Sequence, residues 1–413
     1  MSSSTRTEVT RRGYGSRIMG SIRGILVGVL LVVIAIPLLF WNEGRAVQTA
    51  KSLAEGAAAV QSIAAETIDA THESKLVHLT GQATTEDVLQ DATFGIHEPQ
   101  AIRLRRVVEM YQWRETSRTE TQREVGGSET RTTTYSYDKD WSESLIDSTG
   151  FHDAESHGNP SSMPFDGHEV RADRVTVGAF VLSDGLVGQI RQTVVRPFTE
   201  EDLEALPEQV QERLGSRQLS IREGLLYAVE QPATDTIGDV RVRFEVLRPL
   251  TVSVIARQMS DNLVPYPTRG GDSLAFLQAG MHGADSMFAS AASANVQMTW
   301  IVRFVGFFLM FVGFGMVFKP LAILADVLPF LGDIMRMGTG LLAGVLAFSL
   351  SLTTIAIGWI FYRPLLGILL LAVAVGALIA VKRMAAKRQP EAASGTGSAE
   401  PNVLPPQQTE PLT

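Results

Sequence analysis

The residue types most often used for catalysis or metal binding cluster at positions 152–157. His152, Glu155 and His157 stand there in the spacing H-x-x-E-x-H, which matches neither H-E-x-x-H nor H-x-x-E-H, the helical zinc motifs. Gly-Asn-Pro at 158–160 indicates a turn directly after them. We therefore predict a polar loop without a metal ion. Phosphate-loop, nucleophile-elbow and kinase signatures are absent from the sequence, so we expect a protein that is not an enzyme and needs no cofactor.

Two acidic residues in apolar surroundings are the second candidates for chemistry. Asp326 and Asp333 lie within the largely apolar stretch 319–336. Acids at membrane depth are costly and often belong to ion or proton pathways, which is one hypothesis for them. The other, which we favour, places both at the membrane–water interface, where they cap short helices or pair with Lys319 and Arg336. The sequence shows no internal repeat of the kind that transporters use.

Charge is distributed unevenly along the 413 residues. Residues 42–298 hold 38 of the 44 acidic and 23 of the 36 basic residues, a net charge of −15, and the remainder has a net charge of +7. Membrane topology produces basic flanks around apolar segments, so no nucleic-acid partner is needed to explain the asymmetry. Because the chain has no cysteine, disulfides, thiolate metal sites and a cysteine nucleophile are excluded.

Four apolar runs predict four membrane-spanning helices. Residues 24–41 form an uncharged run of 18 residues that ends at Trp41, and such a run covers roughly 27 Å, close to the thickness of a hydrocarbon core. This run is longer than the apolar part of a signal peptide and no small-residue cleavage site follows it, so we predict that it stays in the chain. The other runs are 300–318, 337–358 and 364–381.

The residues beside the spans carry further signals. Arg303 is close enough to the start of the second span to reach the headgroups. The stretch 319–336 is too apolar for a soluble loop and contains prolines, which predicts an interfacial or re-entrant segment. Residues 359–363 form a short turn, whose Trp359 and Tyr362 are typical of a membrane–water boundary. Small residues of the third span predict close packing between helices; they are Gly338, Gly340 and Gly344.

The basic residues outside the spans predict the orientation. Five arginines precede the first span within residues 1–23, and four basic residues follow the last within 382–413. Positively charged flanks stay in the cytoplasm. We therefore predict that both termini are cytoplasmic, that 382–413 is a disordered tail, and that residues 42–299 are extracytoplasmic.

The central region, 42–299, shows strand patterns. Apolar residues alternate with charged ones from Val240 to Val246, which predicts a strand with one polar face. Segments 103–113 and 132–141 are rich in β-branched and aromatic residues and have a Gly-Gly turn signal between them. The chain is thus predicted to be an α+β membrane protein, in which one N-terminal and three C-terminal transmembrane helices flank a strand-rich α+β domain.

Helices are expected at three places in this region. Thr199 is positioned to cap a helix over 200–214, whose first turn is acidic. The Ala-rich stretch 46–68 continues the first span as a helix. Residues 272–294 place apolar side chains on one helical face, which lies either on the outer membrane surface or against the domain itself.

Short motifs occur in a fixed order along the chain. The first, directly after the first span, consists of Trp41, Asn42, Glu43, Gly44 and Arg45, followed by an alanine. The others are V-E-M-Y-Q-W at 108–113, Y-S-Y at 135–137, H-G-N-P at 157–160, K-P-L at 319–321, and G-W-I-F-Y-R-P at 358–364, which ends in Arg363 and Pro364. Together they resemble the LUMA (transmembrane protein 43) family over about residues 24–381.

This resemblance implies a four-span protein of the endoplasmic reticulum and inner nuclear membrane in animals, with bacterial relatives in the cell membrane. It also implies self-association into a homo-oligomer and the organisation of envelope proteins such as emerin and lamins. The Cys-free composition, rich in Ala and Arg, suggests a bacterial member, for which those partners do not exist. Its protein partners are then unknown, and the lipid bilayer is the one certain neighbour.

The leading hypothesis for function is a non-enzymatic membrane scaffold that self-associates and presents an extracytoplasmic binding domain. A channel or transporter is the alternative, and a membrane-bound hydrolase that depends on His157 is the second alternative. Contacts between copies are expected from a free edge of the strand at 240–246 and from the glycines of the third span. At the outer boundary, Glu43 either pairs with Arg363 or contacts headgroups independently.

Overall fold

A computed structural model describes residues 4–124, 128–232, 234–325 and 329–364. The chain divides into a large unit, Met1–Ile355, and a C-terminal unit, Ala356–Thr413. The Gly-Gly turn at 126–127 and all but the first residue of the fourth predicted span lie outside the described residues. The tail at 382–413 lies outside them as well.

Six α-helices, two short 3-10 helices (Ala70–His72 and Ser148–Gly150) and nineteen strands occur in the described residues. The helices are α1 (Tyr14–Ala59), α2 (Asp184–Val187), α3 (Glu200–Glu204), α4 (Glu208–Leu214), α5 (Ala284–Ala325) and α6 (Pro329–Tyr362). The strands are β1 (Ser4–Arg12), β2 (Gln61–Ser62), β3 (Leu76–Thr84), β4 (Val88–Asp91), β5 (Ile96–Pro99), β6 (Arg103–Arg123), β7 (Glu129–Ser142), β8 (His168–Arg171), β9 (Thr176–Val177), β10 (Phe180–Leu182), β11 (Val194–Arg196), β12 (Gln218–Arg222), β13 (Leu225–Val229), β14 (Val240–Leu247), β15 (Leu250–Met259), β16 (Asn262–Val264), β17 (Tyr266–Pro267), β18 (Ser273–Leu274) and β19 (Phe276–Ala279).

Three helices, α1, α5 and α6, are long and apolar enough to cross a membrane. They contain the predicted spans 24–41, 300–318 and 337–358. The first two pack against each other in opposite directions, since Gly28 meets Gly313 and Asn42 meets Thr299. With 46 residues, α1 is about 69 Å long, more than twice the thickness of a hydrocarbon core. Both helices therefore continue beyond the spans into the central domain.

Most of the stretch 319–336, predicted as an interfacial or re-entrant segment, is helical, and Asp326 lies outside the described residues. Helix α5 continues through Lys319 and Pro320, and α6 begins at Pro329. Proline suits the first position of a helix, because the N–H that it lacks would have no partner there. At its other end α6 runs through Tyr362, so the turn predicted at 359–363 begins later than expected.

The predicted helix over 272–294 is only partly helical. Strands β18 and β19 occupy its first part, and α5 begins at Ala284. Met287 and Phe288 are buried in one core with Leu53 of α1 and Leu76 of β3. This face therefore packs against the protein's own domain, which decides between the two hypotheses for the segment.

The helix predicted after Thr199 is split in two. Thr199 accepts a hydrogen bond from the N–H of Asp202, whose side chain accepts one from the N–H of Thr199, so the predicted cap is present as a capping box. Pro207 separates α3 from α4. Proline lacks an N–H and disfavours helical backbone at the residue before it, which explains the break.

The first sheet has eight strands in the order β1-β7-β6-β14-β13-β12, with β11 paired to β14 and β8 to β6. The alternation predicted from Val240 to Val246 is confirmed, because every second residue of β14 from Val240 is buried. Strand β14 is paired with β6 and with β13, so the expectation of a free edge at 240–246 is wrong. A period of two reports which face is buried and does not distinguish a central strand from an edge strand.

Five strands of the second sheet close into a ring of pairings, β3-β15-β16-β10-β9 and back to β3. Closure of this kind protects strand edges that would otherwise be open to pairing. A hydrophobic core belongs to this ring. Its members include Val77, Leu79, Val177, Phe180, Val252, Val254 and Leu263.

A long hairpin extends from the first sheet. Strands β6 and β7 remain paired from Met110 opposite Ser142 to Arg123 opposite Glu129, and β1 pairs with the outer side of β7. We call residues 111–123, residues 129–141 and β1 together the ribbon. The segment 1–23, predicted as a basic tail, thus contains a strand and the first turns of α1. Its polar sequence has no apolar alternation from which a strand could be predicted.

Candidate functional site

Six polar side chains join α1 to α5 at the domain end of their apolar stretches. Three belong to the motif that follows Trp41, and three lie on facing turns of α5, spaced four residues apart so that they share one helical face. We call this group the polar cluster. Its members are Asn42, Glu43, Arg45, Asn295, Thr299 and Arg303.

The centre of the cluster is an ion pair between Glu43 and Arg303. Arg303 donates from Nε to Oε1 of Glu43 at 2.7 Å and from Nη2 to Oε2 at 2.8 Å. The side chain of Glu43 is 2% exposed and that of Arg303 is 15% exposed. The guanidinium also lies 4.9 Å from the centre of the Trp300 ring. From the sequence, Arg303 was predicted to contact lipid headgroups, and Arg363 was suggested as a partner for Glu43. In the structure, Arg303 forms a bidentate ion pair with Glu43.

The remaining members form hydrogen bonds with one another and with the helix backbone, and Nε of Arg45 is buried without such a bond. Asn42 donates from Nδ2 to the carbonyl of Thr299 at 3.1 Å. Arg45 donates to Oδ1 of Asn295 at 3.1 Å, to Oγ1 of Thr299 at 3.2 Å and to Oδ1 of Asn42 at 3.3 Å. Asn295 in turn donates to the carbonyl of Ala46 at 3.0 Å. The network thus fixes both the spacing and the rotation of α1 against α5.

This arrangement holds α1 and α5 in one relative position. Both carboxylate oxygens of Glu43 accept hydrogen bonds from Arg303, and both side chains are largely shielded from solvent. Removing one partner of such a buried pair usually destabilises a protein by about 3–5 kcal/mol, because the other charge stays buried. Of the remaining motif residues, Trp41 is exposed and Gly44 is half-buried, so they lie at the margin of the cluster.

Within the described residues, Gly28, Gly306 and Gly313 allow close packing of two spans. A Cβ at Gly28 would lie 2.5 Å from the carbonyl oxygen of Gly313, and one at Gly306 would lie 2.5 Å from Leu39. These glycines let α1 and α5 approach closely. By contrast, a Cβ at Gly338 or Gly340 would meet no atom of the described residues within 4 Å, and one at Gly344 would make an ordinary contact with Phe311.

A second cluster forms near the base of the ribbon. The rings of Tyr137 and His157 are stacked with centres 3.8 Å apart, and Trp113 meets His157 edge-on at 4.6 Å. Tyr137 donates its hydroxyl proton to Glu115 at 2.7 Å, and the N–H of Asp153 donates to that hydroxyl at 2.9 Å. Burial, followed by the hydrogen bond to Glu115, raises the pKa of Tyr137 to about 12. The tyrosine is therefore a neutral structural donor at physiological pH.

The two histidines weighed as metal ligands are held apart by different rings. His152 stacks on Tyr135 at 4.3 Å, whereas His157 stacks on Tyr137. Asn159 fastens the same loop to β6 by accepting from the N–H of Trp113 at 2.7 Å and donating to its carbonyl at 2.9 Å. Within the described part of the chain, no group of three or more His, Cys, Asp or Glu residues is arranged to hold a metal ion.

Comparison with known proteins gives the family. Residues 110–364 match the sequence profile described as transmembrane protein 43, which is more than half of the chain. The chain belongs to the transmembrane protein 43 family. The protein of that name from Pongo abelii is 36% identical over 391 residues, covering 91% of this chain and 94% of the relative. The one from Homo sapiens is 35% identical over 389 residues, covering 91% and 94%.

A more distant relative shows how far the likeness extends. The transmembrane protein 43 homolog of Drosophila melanogaster is 31% identical over 355 residues, which cover 84% of this chain and 90% of that protein. No solved structure matches the chain. The resemblance of the short motifs to this family is therefore confirmed over almost the whole sequence.

In this transmembrane protein 43 family member, five of the six motifs fall into three places. The motif after Trp41 builds the polar cluster, and the central motifs build the cluster around Tyr137. The last motif ends α6, where the N–H of Arg363 donates to the carbonyl of Trp359 at 2.8 Å and Tyr362 meets Phe361 edge-on at 4.9 Å. Pro364 follows directly and cannot continue the hydrogen-bond ladder. Pairing of Arg363 with Glu43 stays a prediction.

Sequence reasoning missed the α5 half of the polar cluster. Asn295, Thr299 and Arg303 recur every four residues across the start of the second span, which was the available signal. Polar residues at such a spacing lie on one helical face and need partners where the helix enters the membrane. The α1 residues that contact this face, Asn42 and Glu43, were already part of the motif at the end of the first span.

Proposed function

We propose that this protein is a non-enzymatic membrane scaffold that self-associates and presents the domain at 42–299 on the extracytoplasmic side. Membership of the family supports a membrane protein, and the ribbon carries the further step. It is a polar strand ladder that passes the same depth as three apolar helices. Such a ladder needs a cover that the described residues of one copy do not supply.

The two ends of the ribbon define its position. Its base continues into the domain, where β6 pairs with β14. At its tip, Arg17 of α1 donates to Glu129 at 3.1 Å, and both side chains are buried. Arg17 precedes the first apolar run, 24–41. Between residues 111 and 123 the strand covers roughly 40 Å, compared with about 30 Å for a hydrocarbon core. The ribbon therefore passes the full depth of the first span.

The composition of the ribbon is incompatible with lipid tails. All ten residues at 114–123 are polar, and β1 contains one apolar residue, Val9, which is 61% exposed. Non-helical backbone is stable at membrane depth only where protein or water covers it. Strand β1 is the edge of its sheet among the described strands. A second copy of the same chain is the simplest protein cover for this edge.

The third span offers a further surface for association. Gly338 and Gly340 face open space in the described residues, and their neighbours Met337 and Leu341 are 75% and 73% exposed. Small residues flanked by large apolar ones allow helices of two copies to approach closely. This supports the assignment of these glycines to contacts between copies.

The orientation is also part of the proposal. The basic flanks support a cytoplasmic location for the Arg17 end of the spans and for the C-terminal tail, which leaves the domain outside. Strand β1 of the ribbon then has Arg12 at the cytoplasmic end and Ser4 towards the domain.

Self-association can be tested with single cysteines, because the chain has none of its own. Mild oxidation of Val9→Cys should give disulfide-linked dimers if β1 edges meet between copies. Val88→Cys, at an exposed position in the domain, is the matched control and should stay monomeric on a non-reducing gel. The dimers of Val9→Cys should disappear when reductant is added. Equal cross-linking of the two variants would contradict the ribbon interface.

The helix surface needs a separate measurement. We expect homo-oligomers by mass photometry in mild detergent and in nanodiscs, and a shift towards monomers for Gly340→Leu. Gly150→Leu is the control, because its Cβ also meets open space but lies outside the spans. Monomers of the unmodified chain in both environments would overturn the scaffold proposal.

A channel is the second candidate function, and the polar ribbon is the feature that supports it. Ribbons from several copies could enclose water instead of one another, since their side chains are polar on both faces. Ion flux into liposomes that contain the protein, lost in a variant without residues 1–12, would support the channel. Oligomers without flux would support the scaffold.

Orientation can be tested by labelling intact cells with an impermeant maleimide. Glu201→Cys, exposed on α3, should be labelled, whereas Ser394→Cys should react only after permeabilisation. Labelling of Ser394→Cys in intact cells would reverse the orientation. Thr5→Cys reports on the ribbon, and its labelling in intact cells would mean that water reaches β1 from outside.

A further inference from the structure

A groove of about 750 Å³ lies beside the polar cluster, where α1 and α5 enter the domain. The two helices form one wall, and strands β18 and β19 belong to the other. The groove begins at Met298, next to the second span, and continues past Leu53 of α1. Leu274 and Phe276 make the strand wall partly apolar. The groove therefore leads from the membrane boundary into the domain, and its volume suits a small ligand or a lipid headgroup.

Two charged residues, Arg45 and Asp272, are among the described residues that line the groove. The guanidinium of Arg45 donates to three neutral side chains of the polar cluster, which uses three of its five N–H groups. Oδ1 of Asp272 accepts from the side chain of Gln48 at 3.3 Å, and Oδ2 is buried without a partner. Both charged side chains thus keep hydrogen-bonding capacity that the described residues do not use.

Neither of these charges is paired within the described part of the chain. Glu43, the acid nearest to Arg45 in the sequence, already accepts from Arg303 through both oxygens. Partly buried charges are stabilised by a group of opposite charge, and an apolar wall strengthens that interaction because it excludes water. A ligand with one negative and one positive group would therefore offset both Arg45 and Asp272.

The order of the two charges narrows the class of ligand. Arg45 lies four residues beyond Trp41, which is roughly 6 Å along the helix axis and within the headgroup layer of about 5–8 Å beside the hydrocarbon core. Asp272 contacts Gln48, almost one helical turn further from the membrane. The cation is therefore nearer to the bilayer than the acid. A zwitterionic phospholipid has the complementary order, since its phosphate is next to the acyl chains and its amine is outermost.

We propose that this groove binds the headgroup of phosphatidylethanolamine from the leaflet on the domain side. The phosphate accepts hydrogen bonds from Arg45. The amine donates to Asp272, because a primary ammonium has three N–H donors, whereas the trimethylated amine of phosphatidylcholine has none. The acyl chains stay in the bilayer along Met298 and Val305, which are exposed on one face of α5. The inference does not depend on self-association, because one chain contains both charged groups.

The test uses the delipidated full-length chain in a non-ionic detergent, with native mass spectrometry as the readout. Phosphatidylethanolamine should bind roughly tenfold more tightly than phosphatidylcholine of the same acyl chains, because the methylated amine loses a charge-assisted hydrogen bond. Asp272→Asn should remove this preference and leave the binding of phosphatidylcholine unchanged. Asp285→Asn makes the same change at an exposed position outside the groove and should keep the preference.

Two further variants address the phosphate and the space. Arg45→Gln should weaken the binding of both lipids by about fivefold, as expected for one basic residue beside a headgroup, and its thermal midpoint shows whether the polar cluster is still folded. Ala294→Leu fills the groove from α5 without changing its charge and should also weaken both lipids. Ala292→Leu, exposed on the same helix but outside the groove, is the matched control and should bind both lipids normally.

Phosphoethanolamine separates the lipid from a soluble zwitterion, because it has the same charged groups without acyl chains. Binding as tight as that of the lipid would overturn the lipid assignment, and weaker binding would support it. Equal binding of phosphatidylethanolamine and phosphatidylcholine, or tighter binding of phosphatidylglycerol, which has no amine, would overturn the contact with Asp272. Lipid binding that neither Asp272→Asn nor Ala294→Leu reduces would overturn the site as a whole.

Discussion

The two ends of the α1–α5 pair hold charge in opposite ways. At the domain end, Glu43 and Arg303 are buried together, and each carboxylate oxygen accepts a hydrogen bond from the guanidinium. At the other end, the described residues that border a cavity of about 580 Å³ include five basic ones and one carboxylate, Glu129. The first arrangement is one matched ion pair that is shielded from solvent, and the second is a group of mostly basic side chains around a space. The comparison teaches that charged residues at a membrane boundary can join two helices when they are buried as a pair, or can line a space between helices.

The largest effect is expected from breaking the balanced end. Glu43→Ala leaves the Arg303 guanidinium buried without its carboxylate, so the free energy of unfolding should fall by about 3–5 kcal/mol. Thermal unfolding in detergent is the measurement. Lys51→Gln, an exposed change on the same helix, should have almost no effect, and a similar loss for both variants would contradict the special role of the pair.

Charge exchange identifies the partner of Glu43. If Arg303 is the principal partner, Glu43→Arg combined with Arg303→Glu should recover more folded protein than Glu43→Arg alone. The combination of Glu43→Arg with Arg363→Glu should recover less. Recovery only in the second combination would restore the pairing of Glu43 with Arg363 that the sequence suggested.

The glycines give the next effect and sharpen the comparison between buried and open helix faces. Gly28→Ala forces a methyl group against the carbonyl of Gly313, so we expect a loss of about 1–3 kcal/mol from overpacking. Gly315→Ala places the same methyl group in open space and should be neutral to stabilising. Denaturation of both variants in the same detergent compares them directly. Equal losses in the free energy of unfolding would contradict the close packing of α1 against α5.

A smaller loss is expected from the neutral part of the polar cluster. Asn42→Ala removes the donor to the Thr299 carbonyl and an acceptor for Arg45. A buried group left without a partner costs about 1–3 kcal/mol, and the charged pair next to it remains. Gln48→Ala, whose side chain is exposed, serves as the control in the same thermal assay. A loss as large as that of Glu43→Ala would mean that the cluster behaves as a single unit.

The smallest effect is expected at the open end. Lys319→Gln removes one of several like charges, so the free energy of unfolding of lipid-free protein should change by no more than about 0.5 kcal/mol. Its sign should be stabilising at low salt, because repulsion is reduced, and the change should vanish as salt screens the cavity. A large destabilisation would show that Lys319 belongs to a balanced network like that of Glu43.

The long apolar runs, the capping box at Thr199 and the alternating strand at 240–246 could all be predicted, because each is a local pattern with a defined period. The polar cluster was only half visible, since its members lie some 250 residues apart on α1 and α5. The path of the ribbon was not predictable. Its threonines and arginines have no apolar face, and β1 takes its register from β7, a strand that is far from it in the sequence.

The unbroken course of α1 from the bilayer into the domain has a mechanical consequence. Helices adapt to thicker or thinner bilayers by tilting, and the polar cluster prevents α1 from bending against α5 where both leave the membrane. Beyond residue 41, α1 continues for about 27 Å and is anchored in the domain through Leu53. A tilt of about ten degrees would move its far end by roughly 5 Å. We expect the angle between the domain and the membrane plane to change with local membrane thickness.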